Sequence, residues 1–448
     1  MSQKISYRFE IKETLKLSFP IVIAQLGVIL MTVTDNLLVG RFLGSTALGA
    51  AGIANSVSFL ITSIGFGGLP AIGALISQAK GRGDENDINR LFHAGLRVAV
   101  ILSIATGIIV VTLAYNFELF GQTEQIGILA KPFLLIMCWS SFPMFLFIAS
   151  RQLCDGLSYP RVAMVITVTA LILNATLNYF LINGIWIFPK LGLNGSATAT
   201  LIARIYMALT MLTYLYFSKR FNTYTRLKTS EPLWPLILKI IKLAIPTGFQ
   251  FFFEIAAFSL AIIMVGWLGE NQLAAHQIAI NVASATYMMA TGIAAAGAIR
   301  VGRAFGKQSP EGVLKAGTSA FICVTGFMGI CCLLFLTSND FLVRLYLTDN
   351  PPVMRIAADL LIIAALFQLS DGIQAVFLGA LRGISDVNIP TGITFFAYWG
   401  VSLPLCYLLG FTFNMDVTGI WIALSAGLTV SAILLSWRFY RLAKKLKF

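Results

Sequence analysis

Three acidic residues lie inside long apolar stretches, where an ionisable side chain is costly. Asp35 lies near the end of the stretch 14–40, whose other charged residue is Lys16, and Glu254 and Asp371 lie in two further stretches. A charged group at the centre of a bilayer costs at least ~3 kcal/mol, so it is rarely retained for structure alone. Such carboxylates can bind a proton, a metal cation or a cationic solute. They predict the working parts of a transporter.

The composition indicates that the solvent of this chain is lipid. Of the 448 residues, 58% are hydrophobic and 11% are charged, whereas soluble domains carry roughly a quarter charged residues. Only a helical bundle satisfies so much backbone in lipid without the alternation of a closed barrel. The predicted fold class is an all-α membrane protein with twelve transmembrane helices, at 16–39, 52–76, 92–114, 129–150, 162–183, 195–217, 241–266, 274–298, 313–337, 353–378, 391–410 and 417–437.

The net charge of +13 is distributed unevenly between the connections of these spans. If the N-terminus is cytoplasmic, 26 of the 32 Lys and Arg residues lie on the cytoplasmic side and five on the outer side. This asymmetry follows the positive-inside rule, so both termini are predicted to be cytoplasmic. Because the rule accounts for the basic excess, no nucleic-acid partner is predicted. The chain is therefore predicted to cross the membrane many times, with lipid around it.

The two halves of the chain repeat each other in order. Equivalent residues are separated by 226 positions at first, by 225 after one deletion, and by 227 near the end of span 4. The pairs are Leu17 and Leu243, Pro20 and Pro246, Gly40 and Gly266, Leu48 and Leu273, Ile53 and Ile278, Gly67 and Gly292, Ala79 and Ala304, Gly81 and Gly306, and Gly156-Leu157-Ser158 with Gly383-Ile384-Ser385. Each identity is weak alone, but their order predicts an internal duplication.

Six spans per half is an even number, so the two six-helix repeats are predicted to be parallel. The predicted organisation is an N-lobe at 1–217, a basic, proline-bearing cytoplasmic linker at 218–240, and a C-lobe at 241–448 with a basic tail. Two such bundles would enclose a cleft whose alternate opening moves a solute. The acids do not follow the repeat, since Asp35 is equivalent to about Ala261. Each lobe is therefore expected to have its own polar site.

The helical rise of 1.5 Å per residue gives the approximate depth of each residue in the membrane, and residues at the depth of Asp35 are its candidate partners. Asn174 and Asn178 lie four residues apart on span 5, and Thr198 and Thr200 lie near the outer end of span 6. All fall in the same layer of the N-lobe. They predict a proton or cation site, and the alternative is polar adhesion between helices.

The C-lobe acids have several polar candidates nearby in sequence. Gln250 is one turn before Glu254, and His276 and Gln277 begin span 8. We predict a second ion or substrate site at Glu254 and Asp371, with His276 alternatively a satisfied interfacial histidine. Arg204, inside span 6, either pairs with a carboxylate or extends to the interface.

Pro20 has two alternative interpretations. Pro20 removes a backbone donor and crowds the carbonyl of Lys16, so it is either a hinge in span 1 or a residue tolerated in the first helical turn.

The six cysteines have no metal-like or disulfide-like spacing and are expected to be packing residues. No metal site is predicted beyond a possible Na+ at the carboxylates, and no cofactor beyond the coupling ion, H+ or Na+.

At this point the chain resembles a known family. Pro20 with Val-Thr-Asp-Asn-Leu-Leu-Val-Gly at 33–40, and Ala-Ala-His-Gln-Ile-Ala-Ile-Asn at 274–281, look like the multidrug and toxic compound extrusion (MATE) family. Glu254, Ile299-Arg300-Val301-Gly302, and Asp371 with Gly379-Ala380-Leu381-Arg382-Gly383 resemble its NorM branch. The resemblance implies a V-shaped pair of bundles and cation-coupled export of hydrophobic, often cationic drugs. It also implies that Asp35, Asn174, Asn178, Glu254 and Asp371 take the coupling and substrate roles.

The predicted function is a proton/drug antiporter that works by alternating access, as a monomer in a bacterial inner (plasma) membrane. Sodium coupling is the close alternative, although Phe367 stands where some sodium-using members carry tyrosine. A flippase for lipid-linked saccharides should line its cleft with several basic residues, and this chain offers only Arg204. A passive channel or receptor fits paired carboxylates in a duplicated bundle less well, and no catalytic constellation predicts an enzyme.

Overall fold

The computed structural model describes residues 6–117, 124–226, 232–347 and 350–446, and no strand occurs among them. The helices are α1 (Tyr7–Gly68), α2 (Pro70–Arg82), α3 (Glu85–Tyr115), α4 (Glu124–Gly156), α5 (Arg161–Asn183), α6 (Leu193–Phe217), α7 (Asn222–Thr225), α8 (Trp234–Trp267), α9 (Glu270–Gly306), α10 (Pro310–Arg344), α11 (Pro351–Gly383), α12 (Asn388–Phe395), α13 (Leu403–Tyr407) and α14 (Asp416–Lys445). Two π-helical segments, Phe396–Ser402 and Leu408–Thr412, flank α13.

Within the described residues, eleven helical segments are long and apolar enough to cross a membrane. The first runs from Tyr7 to Arg82 and contains two of the predicted spans. Gly44 separates them, because its backbone is non-helical at φ 82° and ψ −176°. A glycine adopts this conformation without the steric cost that a side chain would add. The chain is therefore a multi-pass membrane protein, and the predicted all-α fold class is confirmed.

The duplication is visible in how equivalent helices pack. A Cβ atom on Gly156 would lie 3.0 Å from the carbonyl oxygen of Gly73, and one on Gly383 would lie 2.7 Å from that of Ala298. Gly73 and Ala298 are separated by 225 residues, the offset of the repeat. In both halves the glycine thus permits the same close approach of two helices, which a larger residue would prevent.

Backbone conformation repeats as well. Ser158 and Ser385, two residues after these glycines, both have positive φ angles, 68° and 63°. A non-glycine residue rarely adopts this region. Asp84 and Ser309, again 225 residues apart, each cap a helix by accepting a hydrogen bond from the backbone N–H three residues later. These matching details support a common origin of the two halves.

The chain forms two compact units, which we call the N unit (Ile23–Gly248) and the C unit (Met1–Val22 with Phe249–Phe448). Their boundaries fall inside α1 and α8, at equivalent positions of the repeat, rather than in the linker. In the C unit, Leu17 and Ile21 of α1 pack with Ala296 and Ile299 of α9. The units therefore differ from the predicted lobes at these ends, because a continuous helix can bury successive turns in different cores.

The first part of the predicted linker is held by α3 of the N unit. Asn89 Nδ2 donates to the carbonyl oxygens of Thr223 and Arg226, at 3.4 and 2.8 Å. His93 Nε2 lies 2.9 Å from the carbonyl oxygen of Thr225. Residues 227–231 of the linker lie outside the described residues. These bonds give His93 a structural partner on the connecting segment.

Candidate functional site

Asp35 lies on α1 and has hydrogen-bond donors on both carboxylate oxygens. Asn178 of α5 donates through Nδ2 to Oδ1. Thr200 of α6 donates through Oγ1 to Oδ2, at 2.6 Å. A charged carboxyl accepts both bonds, whereas protonation turns one of its oxygens into a donor. Binding of a proton or a cation would therefore change the bonds at this site.

A second layer of bonds holds these donors in place. Asn174 Nδ2 donates to Thr200 Oγ1 at 3.2 Å, and Asn178 Nδ2 also reaches Ser196 Oγ at 3.2 Å. Both asparagines are fully buried. Asn174 with Asn178, and Ser196 with Thr200, are each four residues apart, so each pair lies on one helical face. The two faces form a ladder of polar groups beside Asp35.

Thr198 does not join this cluster. Its Oγ1 donates to the carbonyl oxygen of Asn194 on its own helix, at 2.7 Å. A separation of two residues turns the side chain by roughly 200° around the helix axis, so Thr198 and Thr200 cannot share a face. The structure thus brings together four of the five predicted N-lobe residues. Ser196 takes the remaining place, and its spacing of four residues from Thr200 is the signal that sequence reasoning missed.

A small pocket lies beside Asp35 in the N unit. Four of its lining residues are methionines, whose flexible thioethers adapt to varied apolar shapes. Its polar residues carry both signs of charge. The lining residues are Val28, Met31, Thr32, Asp35, Asn55, Met137, Met144, Thr200, Arg204 and Met207.

Arg204 reaches this pocket without forming an ion pair. Its Nη1 donates to Ser140 Oγ of α4 at 2.7 Å. Among the described residues, no carboxylate oxygen lies within salt-bridge distance of it, and Asp35 acts on it only at longer range. Neither of the two predicted alternatives, an ion pair or extension to the interface, describes this position in the middle of α6.

Glu254 of α8 lies in a second cluster of buried polar groups, in the C unit. The hydroxyl groups of Tyr287 of α9 and Tyr398 lie near its carboxyl group. Gln374 of α11 contributes Nε2, which lies 3.5 Å from Glu254 Oε2 and 2.9 Å from Tyr398 Oη. Glu254 is 7% exposed. Three elements therefore converge on one carboxyl group.

Asp371 of α11 is close enough to Glu254 for the two carboxyl groups to interact electrostatically. It is 5% exposed, and its Oδ1 has no hydrogen-bond partner in the part of the chain that the structure describes. Two negative charges in one buried site repel each other, so the pair favours a shared proton or a bound cation. The structure thus brings together the two acids that the sequence placed in the C-lobe.

Tyr398 reaches this cluster from a π-helical segment, Phe396–Ser402. Pro404 follows shortly and lacks a backbone donor, which weakens regular α-helical bonding one turn earlier. Trp399 in the same segment donates to the carbonyl oxygen of Phe253, at 3.3 Å. A π segment changes which side chains share a face, and such segments are frequent at functional sites.

The remaining C-lobe candidates have other partners. Gln250 donates to the carbonyl oxygen of Val387 at 3.1 Å and to Thr391 Oγ1 at 3.0 Å. His276 is fully buried, and its Nδ1 accepts from Trp421 Nε1 at 3.0 Å. Gln277 is exposed. Within the described residues, the bonds of Gln250 and His276 lead away from Glu254 and Asp371.

Pro20 is buried inside α1, well beyond the first turn that begins at Tyr7. The interpretation of Pro20 as a first-turn residue is therefore wrong. The helix continues through it, since the non-helical residue inside α1 is Gly44.

A family model described as MatE matches residues 20–180 and again 246–408. The chain belongs to the MatE family. The two matches begin at Pro20 and Pro246, an equivalent pair of the duplication. The resemblance to the MATE family that the sequence motifs indicated is confirmed.

Individual relatives of this MatE chain cover nearly its whole length. A protein of Bradyrhizobium diazoefficiens described as "Probable multidrug resistance protein NorM" is 34% identical over 441 residues, which are 98% of this chain and 94% of the relative. A protein of Rhizobium meliloti with the same description is 33% identical and covers 98% and 95%.

Solved MATE structures share the fold of this MatE chain. The crystal structure of the eukaryotic MATE transporter AtDTX14 superposes with a TM-score of 0.89 at 19% identity, over 98% of both chains. A crystal structure of MATE in the bent conformation also superposes with a TM-score of 0.89 at 19% identity, over 98% of this chain and 97% of the other.

Proposed function

We propose that this MatE chain is a proton-coupled exporter of hydrophobic, often cationic organic compounds. The observation that carries the proposal is Asp35, which holds bonds from Asn178 and Thr200 at the edge of a methionine-lined pocket. The multidrug resistance description of relatives that are 33–34% identical supports the same substrate class. We infer no enzymatic activity and no cofactor beyond the coupling ion.

The coupling step follows from the hydrogen bonds of Asp35. A charged Asp35 accepts from Asn178 and Thr200 and attracts a cationic solute. Protonation from the outer side removes that charge and weakens both bonds. The solute loses its partner, and the helices that carry these groups are released to rearrange. The protein works by alternating access, as a monomer in a bacterial inner membrane with both termini in the cytoplasm.

Sodium coupling is the second candidate, and unpaired oxygens favour it. Oδ1 of Asn174, Asn178 and Asp371 each lacks a hydrogen-bond partner within the described residues. Hard cations take carboxylate and amide oxygens as ligands. The side chain of Phe367 has no oxygen to offer near Asp371, and its ring packs against Trp421 and Phe258, with centroid distances of 5.6 and 6.0 Å.

Efflux from proteoliposomes tests the proposal. Purified protein is reconstituted with a fluorescent organic cation, and a proton gradient and a sodium gradient are imposed in separate experiments. We expect efflux driven by the proton gradient. Efflux that is driven only by the sodium gradient would show that sodium, and not the proton, is the coupling ion. Equal flux without any gradient would indicate a passive channel.

Pro20 is expected to act as a hinge of α1. Pro20→Ala restores a backbone donor toward Lys16 and should straighten the helix, while Asp35 and its partners stay chemically unchanged. We expect the variant to bind the organic cation with unchanged affinity but to export it about tenfold more slowly. Equilibrium binding and initial efflux rates, measured on the same preparation, check this.

Pro246→Ala is the matched control, because Pro246 is the equivalent residue on α8. Structures of the wild-type protein at low and high pH should differ in the path of α1. Wild-type efflux by Pro20→Ala, together with one unchanged helix path at both pH values, would contradict the hinge.

A further inference from the structure

Arg204 is a half-buried cation, and no acidic side chain among the described residues is in contact with it. It lies in the middle of α6, where a charged side chain in a membrane protein normally pairs with an acid or reaches the interface. The nearest acid in the pocket, Asp35, already accepts from Asn178 and Thr200. The bond that anchors Arg204 is to the neutral Ser140.

The chemistry of the guanidinium group defines what would complete this site. It has five N–H donors in a planar arrangement that matches a carboxylate. One of them is used by Ser140. The group lines the same pocket as Asp35, with four methionines around them. The pocket thus offers one anionic and one cationic group on an apolar, deformable wall.

We propose that Arg204 binds the acidic group of a transported compound, so that the N unit accepts zwitterionic organic solutes. The basic group of the solute faces Asp35, its acid faces Arg204, and its apolar body packs on the methionines. This proposal rests on the export function proposed above and specifies the substrate class of the same pocket. Arg204 then determines selectivity rather than ion coupling.

A pair of dyes that differ in one charge tests this. One is a rhodamine with a free carboxylate, and the other is its methyl ester, which is a pure cation. Efflux of both is measured from proteoliposomes under the same proton gradient. Arg204→Gln removes attraction for the carboxylate and repulsion of the cation. We expect the ratio of carboxylate-dye to ester-dye efflux to fall about tenfold or more, since charge-assisted hydrogen bonds are the strong ones.

Two further variants separate a binding role from a structural one. Arg204→Lys retains the charge without the planar donors and should retain part of the ratio. Thr198→Val is the control on the same helix, because Thr198 bonds to its own helix and lies outside the pocket lining. It should leave the ratio unchanged. Binding of both dyes to the purified wild-type protein, by fluorescence anisotropy, should favour the carboxylate dye and does not depend on any variant folding.

The outcomes distinguish this inference from the function on which it rests. An unchanged ratio in a folded Arg204→Gln protein, or tighter wild-type binding of the ester, would overturn the role of Arg204 while drug export stands. Failure of the wild-type protein to export either dye and a panel of organic cations would overturn the export function itself.

Discussion

Asp35→Asn is expected to abolish export while the protein still folds and inserts. The amide cannot take up and release a proton, so the step that discharges the solute is lost. Its carbonyl oxygen can still accept from Thr200. Its new N–H donors would face Asn178, whose Oδ1 has no partner in the described residues and can accept after the amide rotates. The local bonding is therefore kept.

Drug resistance of cells that express the variant measures the effect, with membrane content and a size-exclusion profile as checks on folding. Thr198→Val is the matched control, because Thr198 was predicted in this layer but bonds to its own helix. Normal resistance from Asp35→Asn at wild-type abundance would eliminate the coupling role.

Neutralising either C-unit acid is expected to give the second large loss. Glu254→Gln and Asp371→Asn each remove one of two interacting buried carboxyl groups, and with it the means to hold a shared proton or cation. We expect initial efflux rates to fall by about tenfold or more. Folding should be retained, because the substitution also removes repulsion between like charges.

Thermal unfolding of the purified variants, compared with their efflux rates, separates a loss of transport from a loss of folding. Gln277→Ala, at an exposed position of α9, is the control and should export normally. If both acid variants export at the wild-type rate, the C-unit acids are structural residues.

The twelve spans were predictable because crossing a bilayer requires about 20 apolar residues, and stretches of this length are visible in the sequence. The exchange of helix ends between compact units was not predictable in this way. Nothing in the apolar pattern around Val22 or Gly248 marks a change of partner, since the pattern records burial but not which core provides it. The non-helical backbone at Gly44 was not predictable either, because other glycines in α1 remain helical.

The polar sites show where sequence reasoning succeeds. Asn174 and Asn178 were found through a spacing of four residues, which regular helices preserve. Thr198 was grouped with Thr200 by depth alone, and helix rotation separates them. Tyr398 could not be placed, since a π segment shifts the register of its face. The roles of these residues stay predictions until the variants are measured.

The division of α1 between two cores has a consequence for biosynthesis. Residues 7–22 are made before the N unit is complete, yet Leu17 and Ile21 pack with Ala296 and Ile299, which belong to a helix that is synthesised after the linker. During that interval the start of the first span has no completed core to join. Its orientation then depends on local signals, chiefly the basic residues at 4–16. Early insertion is thus directed by charge, and final packing of this helix end waits for the second half of the chain.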